Sequence, residues 1–284
     1  MPHRPIDLHA HSSVSDGTET PAELVAAAAA AGLGTVALTD HDSTAGWAEA
    51  TRAVVGTGLT LVPGMELSTS LGMNSVHMLG YLFDPADPGL VAETARLRES
   101  RLHRAERIVE RIAADYDISW ADVLAQSTNG ATLGRPHIAD ALVARGFAPD
   151  RSAAFAGILH WRSGYYEPHE APSPMHGVRL IREAGGVPVI AHPATRGRST
   201  NIPERAVDEL VEAGLMGVES AHRENTAAGA EKLRQLARRH DLIVTGSSDY
   251  HGEGKPNRLG ENSTEPDQLA RIVEAATGWA PVRG

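Results

Sequence analysis

Nine side chains able to bind a metal ion are scattered between residues 9 and 251 of this 284-residue chain, and almost every one stands where an apolar, strand-like run ends. They are His9, His11, Asp16, His41, Glu66, His77, His192, Asp249 and His251. Segments such as Pro5-Ile6-Asp7-Leu8-His9-Ala10-His11, Val36-Ala37-Leu38-Thr39-Asp40-His41 and Val187-Pro188-Val189-Ile190-Ala191-His192 run apolar and then finish on imidazole. One such ending says little. Its repetition along the chain implies that the strand ends converge on one face, where a multi-metal centre can be assembled.

The chain has no cysteine, which excludes disulfides and thiolate zinc sites and leaves nitrogen and oxygen as the metal donors. Its length suits one α/β barrel with a buried core. The segment Met1-Pro2-His3-Arg4-Pro5 lacks the charged and apolar regions of a signal peptide, and the apolar stretch 24–33 is too short to span a bilayer. A cytoplasmic protein with no membrane contact and no obligate protein partner is expected. A formal charge of -10 disfavours nonspecific nucleic-acid binding over the whole surface, but bound cations can reverse the sign inside one cleft. A phosphorylated substrate therefore stays open.

Periodicity predicts a strand over 6–10, a helix over 21–31, a strand over 35–39 and a helix over 44–55, followed by β-rich runs at 59–68 and 75–83. Pro21 suits the first helical position and Gly32 the C-terminal cap. After residue 173 the alternation resumes, with helices over 173–184, 203–213 and 225–239 and strands over 187–191, 216–220 and 242–247. Such βαβ repetition favours a parallel sheet with its site at the carboxyl ends of the strands. Residues 88–170 break the rhythm with a long helix over 90–116 and helical pieces at 119–126 and 136–145. The expected organisation is a barrel from 1–87 and 171–284, with 88–170 as a helical insertion capping its mouth. Arg96, Arg98, Arg101, Arg104, Arg107 and Arg111 alternate with acids on the long helix, which reads as i,i+4 pairing on a solvated face. No aromatic series accompanies them to form an RNA track.

His9 and His11 lie two apart, so on a strand both point to the same face and can grip one ion. Asp249 and His251 repeat that spacing; an acid and an imidazole at a strand end can also form a catalytic dyad without metal. Glu66 reads either as a rim carboxylate paired with an arginine or as a bridge, because its two oxygens can serve two cations. His77, between Val76 and Met78, reads by itself as a core histidine.

Taken in order, His9-x-His11, Asp16, Thr39-Asp40-His41, Glu66, His77, His192-Pro193 and Ser248-Asp249-x-His251-Gly252 resemble the PHP family, the polymerase and histidinol phosphatase metallophosphoesterases, over most of the chain. The resemblance implies a distorted (β/α)7 barrel with three divalent ions at its mouth. By it, His9, His11, Glu66 and Asp249 hold the first ion, Glu66, His77 and His192 the second, and Asp16, His41 and His251 the third. Asp16 stands where some members use histidine. Manganese is the ion the resemblance implies, although the same donors suit Fe2+ and Zn2+.

Three divalent cations against three carboxylates leave a net charge of roughly +3, a natural host for a phosphate dianion. Water on such an ion is deprotonated near neutral pH, with a pKa of about 7 on zinc, which supplies hydroxide as the nucleophile. Gly134-Arg135-Pro136-His137 opens a helix, where Arg135 offers a planar fork to phosphate oxygens. This segment is similar to that of the PHP branch acting on nucleoside phosphates and 5'-phosphorylated RNA ends. His222 again follows a strand and can bind phosphate or protonate the leaving oxygen. Arg135, His137, His222, Lys255 and Arg258 are the substrate candidates, and Arg135 and His222 the catalytic ones.

The expected function is metal-dependent hydrolysis of a phosphoester, with AMP, a 3',5'-bisphosphonucleotide or the 5' end of a short RNA as substrate. Histidinol-phosphate hydrolysis is the alternative within the same chemistry, since the metal ligands engage only the phosphoryl group. A noncatalytic metal-stabilised binding module is the alternative of another class. A metal amidohydrolase also begins with His-x-His, but Lys232 and Lys255 are the only lysines and neither sits where a barrel-lysine ligand would.

Overall fold

The computed structural model describes residues 3–72, 74–128, 130–194 and 204–284. From β1 (Ile6–Asp7) the chain passes through α1 (Pro21–Ala30), β2 (Thr35–Leu38), α2 (Trp47–Val54), β3 (Thr60–Leu71) and β4 (Asn74–Tyr81). Four helices follow: α3 (Pro88–Ile112), α4 (Trp120–Leu124), α5 (Arg135–Ala144) and α6 (Arg151–Ala156). Alternation then returns with α7 (Pro174–Glu183), β5 (Val187–Ile190), α8 (Glu204–Glu212), β6 (Gly217–Ala221), α9 (Ala227–His240), β7 (Ile243–Gly246), α10 (Pro266–Ala275) and β8 (Val282–Arg283).

Local chemistry starts and stops these elements. Thr20 and Glu23 form a reciprocal capping box, the threonine hydroxyl accepting from the Glu23 amide and the Glu23 carboxylate from the Thr20 amide, and Pro21 supplies a preset φ at the first turn of α1. Gly32, at φ 78°, ends it. Hydroxyl or carboxylate caps from Asp87, Ser119, Asp150, Ser173 and Thr226 start α3, α4, α6, α7 and α9 in the same way.

Strands β1 to β7 follow one another in order around the sheet, and β8 adds to β3. A parallel bridge between Ala10 and Tyr250, with the His11 amide donating to Tyr250 O at 2.8 Å, brings the chain beyond β7 against the chain beyond β1. The result is a nearly closed, barrel-like ring of seven strands with helices around it.

The sheet is not parallel throughout, as the βαβ rhythm suggests. β4 runs antiparallel to both β3 and β5. A tight turn at Gly72, with φ 62°, joins β3 to β4 where a parallel pair would need a crossover helix. Two consequences bear on the site. β3 continues past Glu66 to Leu71, so Glu66 lies within a strand rather than at its end. His77 stands in the first half of β4, which the hairpin brings to the mouth, and it pairs in register with Ser68.

Apolar side chains fill the barrel, among them Ile6, Leu8, Ala37, Val62, Leu79, Val187, Val189 and Ile243, and the Tyr81 hydroxyl finds Leu8 O at 2.8 Å. A second layer packs the sheet against its helices. The stretch 88–170 has a cluster of its own, including Ile108, Ile112, Val123, Ile138, Leu142 and Leu159. At 1.5 Å per residue, the 25 residues of α3 carry the chain about 37 Å. That span takes it from the end of β4 to the barrel mouth.

The arginines of α3 depart from the solvated face expected of them. Arg96 pairs with Glu93 on the same helix, but Arg107 and Arg111 both hold Glu167, and Arg98 and Arg101 reach Asp42 beside His41. Arg104 is buried, donates to Glu167 O at 2.7 Å and lies over the Tyr166 ring. Among the described residues, no helix is long and apolar enough to cross a membrane.

Candidate metal centre

Ala10 is held on one side by the bridge to Tyr250 and on the other by Thr39, whose amide and hydroxyl both donate to Ala10 O. With the residue between them so fixed, His9 and His11 turn the same way and their Nε2 atoms lie 3.0 Å apart. Glu66 Oε2 is 3.3 Å from the first and 3.2 Å from the second, and Asp249 Oδ1 is 3.5 and 3.4 Å away. The other oxygen of Glu66 meets His77 Nδ1 at 2.9 Å and His192 Nε2 at 3.2 Å. Asp16 stands beside this group, 3.2 Å from His251 Nε2 and 3.8 Å from His41 Nε2, while His41 Nδ1 returns to Glu66 Oε2 at 3.2 Å. All nine dispersed residues therefore meet at one end of the barrel.

These separations suit cations. Metal bonds of about 2.0–2.2 Å place neighbouring donor atoms about 2.8–3.1 Å apart around an octahedral ion and about 3.3–3.6 Å apart around a tetrahedral one. Four compact donor groups are present among the described residues: His9, His11, Glu66 and Asp249; His9, His192 and Glu219; His11, Asp16 and His41; and His41, Glu66 and His77. His41 Nδ1 and His251 Nε2 are buried and make no well-formed hydrogen bond to the carboxylates beside them, as nitrogens facing an ion would be.

Burial opposes charge on Glu66, Asp249, Asp16, His9 and His41, and attraction between opposite charges overcomes it on all of these but His41. Glu66 is held well below the usual carboxylate range by His41, His77 and His9. Asp249 is held down in the same way by Lys255, His251 and His9, and Asp16 by His251 and His41. His9 is raised well above an ordinary imidazole by Glu66, Glu219 and Asp249, whereas burial draws His41 down. Three carboxylates kept ionised among buried imidazoles form a donor set ready for divalent cations.

Two of these residues carry unusual backbone. His192 has φ 29° and Asp249 φ 55°, a region that side chains other than glycine rarely adopt. The Glu219 carboxylate accepts from the His192 amide at 2.8 Å, and the Asn257 amide group donates to Asp249 O at 3.2 Å, which holds both.

Glu219 is the main residue that sequence reasoning missed. It is fully buried on β6, with Oε1 3.1 Å from His9 Nδ1 and accepting from the Ser247 hydroxyl at 2.7 Å. The signal was an acid within the apolar run Gly217-Val218-Glu219. Asp40 and Asp42, read only as neighbours of His41, were given no role of their own. Asp40 accepts from the hydroxyls of Ser12 and Ser15, and Asp42 from the amide and hydroxyl of Ser68.

A cavity of about 530 Å³ opens above the cluster. Asp16, His41 and His77 line it from the barrel, and Arg101, Arg104, Arg135, Phe155, Tyr166 and His169 from the helical stretch and the loop after it. Arg135 opens α5, its guanidinium 5.2 Å from the Phe155 ring centre and 5.4 Å from that of Tyr166. Lys255 also lines the cavity and donates to Asp249 Oδ2 at 2.7 Å.

The other substrate candidates lie elsewhere. His222 is buried against His192, with Nε2 3.6 Å from Asp249 Oδ2, and does not line the cavity. His137 accepts from the Gly134 amide within its own helix cap and faces a separate opening. Arg258 is 83% exposed and 3.9 Å from Glu261. His169, not singled out from the sequence, lines the cavity with its Nε2 buried and unpartnered, and burial together with Arg101 and Arg104 draws its pKa down to about 2.

Comparison with known proteins agrees with this geometry. The PHP domain profile matches residues 7–129. Over 260 residues the chain is 35% identical to a 3',5'-nucleoside bisphosphate phosphatase of Chromobacterium violaceum, covering 89% of each protein. It is 31% identical over 247 residues to the 5'-3' exoribonuclease Rnm of Escherichia coli, covering 86% of this chain and 84% of that one. A solved structure described as a metal-dependent phosphoesterase from Bifidobacterium adolescentis superposes with a TM-score of 0.94 at 44% identity, over 97% of this chain and 98% of that one. One described as an amidohydrolase from Chromobacterium violaceum, with bound sulfate, gives 0.87 at 33% identity over 98% of each. Fold and site define a metal-dependent phosphoesterase built on a barrel. The chain belongs to the PHP family.

Proposed function

We propose that this enzyme hydrolyses phosphoesters of nucleotides, either AMP and 3',5'-bisphosphonucleotides or the 5'-phosphorylated ends of short RNA, at a centre of three manganese ions. The observation that carries the reading is Glu66, whose two oxygens each face imidazoles of a different donor group at 2.9–3.3 Å. A carboxylate so placed can bridge two cations. In this reading His9, His11, Glu66 and Asp249 hold one ion, Glu66, His77 and His192 the second, and Asp16, His41 and His251 the third. Bound divalent ions supply Lewis acidity and lower the pKa of water towards neutrality.

The chain's own residues supply the rest. Residues 88–170 cap the mouth and bring Arg135 and Arg104 to the cavity, where guanidinium groups attract phosphate and exclude bulk water. Phe155 and Tyr166 hold the Arg135 fork in one plane and offer apolar surface to a ribose or base. Lys255 adds a third cation beside Asp249. His222, buried behind Asp249, acts through the ligands rather than on the substrate. The names of two relatives, a nucleoside bisphosphate phosphatase and a 5'-3' exoribonuclease, support the nucleotide as the substrate class.

The test is phosphate release from AMP, 3',5'-bisphosphoadenosine, a short 5'-phosphorylated RNA and histidinol phosphate, with metal-stripped protein reloaded one ion at a time. Turnover of the nucleotides with manganese is expected. A clear preference for histidinol phosphate would overturn the substrate assignment, and nucleotide binding without release on any ion would make the protein a binding module.

A further inference from the structure

The loop that carries Asp16 is gripped from outside the barrel. Thr128 Oγ1 donates to Ser13 O at 2.8 Å, the Thr132 amide to Val14 O at 2.9 Å, and Arg151 Nη1 to Asp16 O at 2.9 Å. All three donors belong to the helical stretch 88–170. Arg151 is held in place by Asp140 of α5, which takes its Nε at 2.8 Å and its Nη2 as well, and the arginine side chain is only 11% exposed. A guanidinium locked in a bidentate pair has its remaining N–H fixed in direction. The carbonyl it meets is fixed with it.

The same stretch reaches His41 from the other side. Arg101 Nε donates to Asp42 Oδ2 at 2.7 Å, its Nη2 to Ser68 Oγ at 2.6 Å, and Arg98 Nη1 to Asp42 O at 2.9 Å. Asp42 adjoins His41 and has φ 50°, a conformation that needs outside support. His9, His192 and Asp249 are supported differently. The groups that hold them are Glu219, Asn257 and Lys255, all from the barrel portion of the chain.

We infer that the helical insertion builds one part of the metal centre: Arg151, fixed by Asp140, is a positioning residue for Asp16, and Arg101 is one for His41, so docking of the insertion sets the affinity of the ion between Asp16, His41 and His251 and leaves the other two untouched. The inference rests on the three-ion reading proposed above. Its physical basis is preorganisation. A ligand loop tied at Ser13, Val14 and Asp16 is already ordered when the cation arrives, and a freed loop must be ordered by the cation at the expense of affinity.

The experiment uses the full chain. Wild type, Arg151→Met, Asp140→Asn and Arg101→Lys are titrated with Mn2+, and ions per chain are counted by elemental mass spectrometry after rapid desalting at each free concentration. Wild type is expected to take up three ions. Arg151→Met is expected to weaken one of the three by about 10–100-fold, the range for groups that orient a ligand, with the other two at wild-type affinity. Asp140→Asn keeps the arginine but loosens its direction, so it should shift the same ion by less; with Arg101→Lys, it carries the test if Arg151→Met does not fold. Three ions held at wild-type affinity in the variants, or all three weakened together, would overturn the inference. Fewer than three ions on wild type would remove the three-ion reading and this inference with it, a result visible before any variant is compared.

Discussion

Nδ1 of His9 lies 3.1 Å from Oε1 of Glu219, so two side chains 210 residues apart share one buried contact and the Nε2 of His9 is the nitrogen turned to the cluster. Burial opposes the charge on Glu219, but His9, His222 and His192 bring its pKa down to about 2, so it stays ionised. An ionised carboxylate at that position fixes both the tautomer and the orientation of the imidazole.

Glu219→Gln should therefore keep the shape of the site and lose its control of His9. The expected effect is a loss of about 10–100-fold in metal affinity, read by metal titration. Unchanged affinity would make Glu219 a buried support for β6 alone.

His9→Ala and Asp249→Ala remove donors that no neighbour can replace. Phosphate release from nucleotides should be abolished in both, while circular dichroism remains that of the parent. Turnover retained in either purified variant would refute the assignment of this cluster as the catalytic centre.

Stripping the ions should lower stability, because they bind the folded site and not the unfolded chain. At a hundredfold excess of Mn2+ over its Kd the gain is about 2.7 kcal/mol per site, and the melting temperature should rise with added metal. A melting temperature indifferent to manganese after chelation would show that the donors do not hold it.

Arg135→Lys keeps the charge but loses the plane that lies over Phe155 and Tyr166. KM for nucleotides should rise by about tenfold or more, since a point charge does not replace a fork at a stacked site. Equal kinetics for the two proteins would exclude a phosphate clamp there.

Trp47→Phe tests the scaffold apart from the chemistry. The buried indole donates to Gly64 O at 2.8 Å, two residues before Glu66. Loss of that bond should cost about 1–3 kcal/mol in denaturant unfolding, with metal stoichiometry unchanged. Loss of an ion as well would mean that the Gly64 contact positions Glu66.

Element boundaries were legible wherever local pattern decided them. The strand expected over 187–191 is β5 at Val187–Ile190, and the helix expected over 173–184 is α7 at Pro174–Glu183, each announced by its own periodicity and cap. Helices α6 and α10 and strand β8 went unread. α6 is a six-residue helix, too short to show a period, and β8 is two residues whose extended form depends on the neighbouring β3. The antiparallel β4 was equally hidden, because a strand's alternation is the same in either direction.

By itself, the sequence determined which donor atoms were available and in what order: imidazoles and carboxylates at the ends of apolar runs, with no thiol among them. That information is local, carried by residue type and spacing. Only the tertiary structure decided that Glu66 sits inside β3 with an oxygen for each of two donor groups, that Glu219 stands behind His9, and that Arg151 and Arg101 point inward to Asp16 and Asp42. Such contacts join residues 11 to 210 positions apart, and they come from the β3–β4 hairpin, closure of the sheet and docking of the helices, which no local pattern specifies.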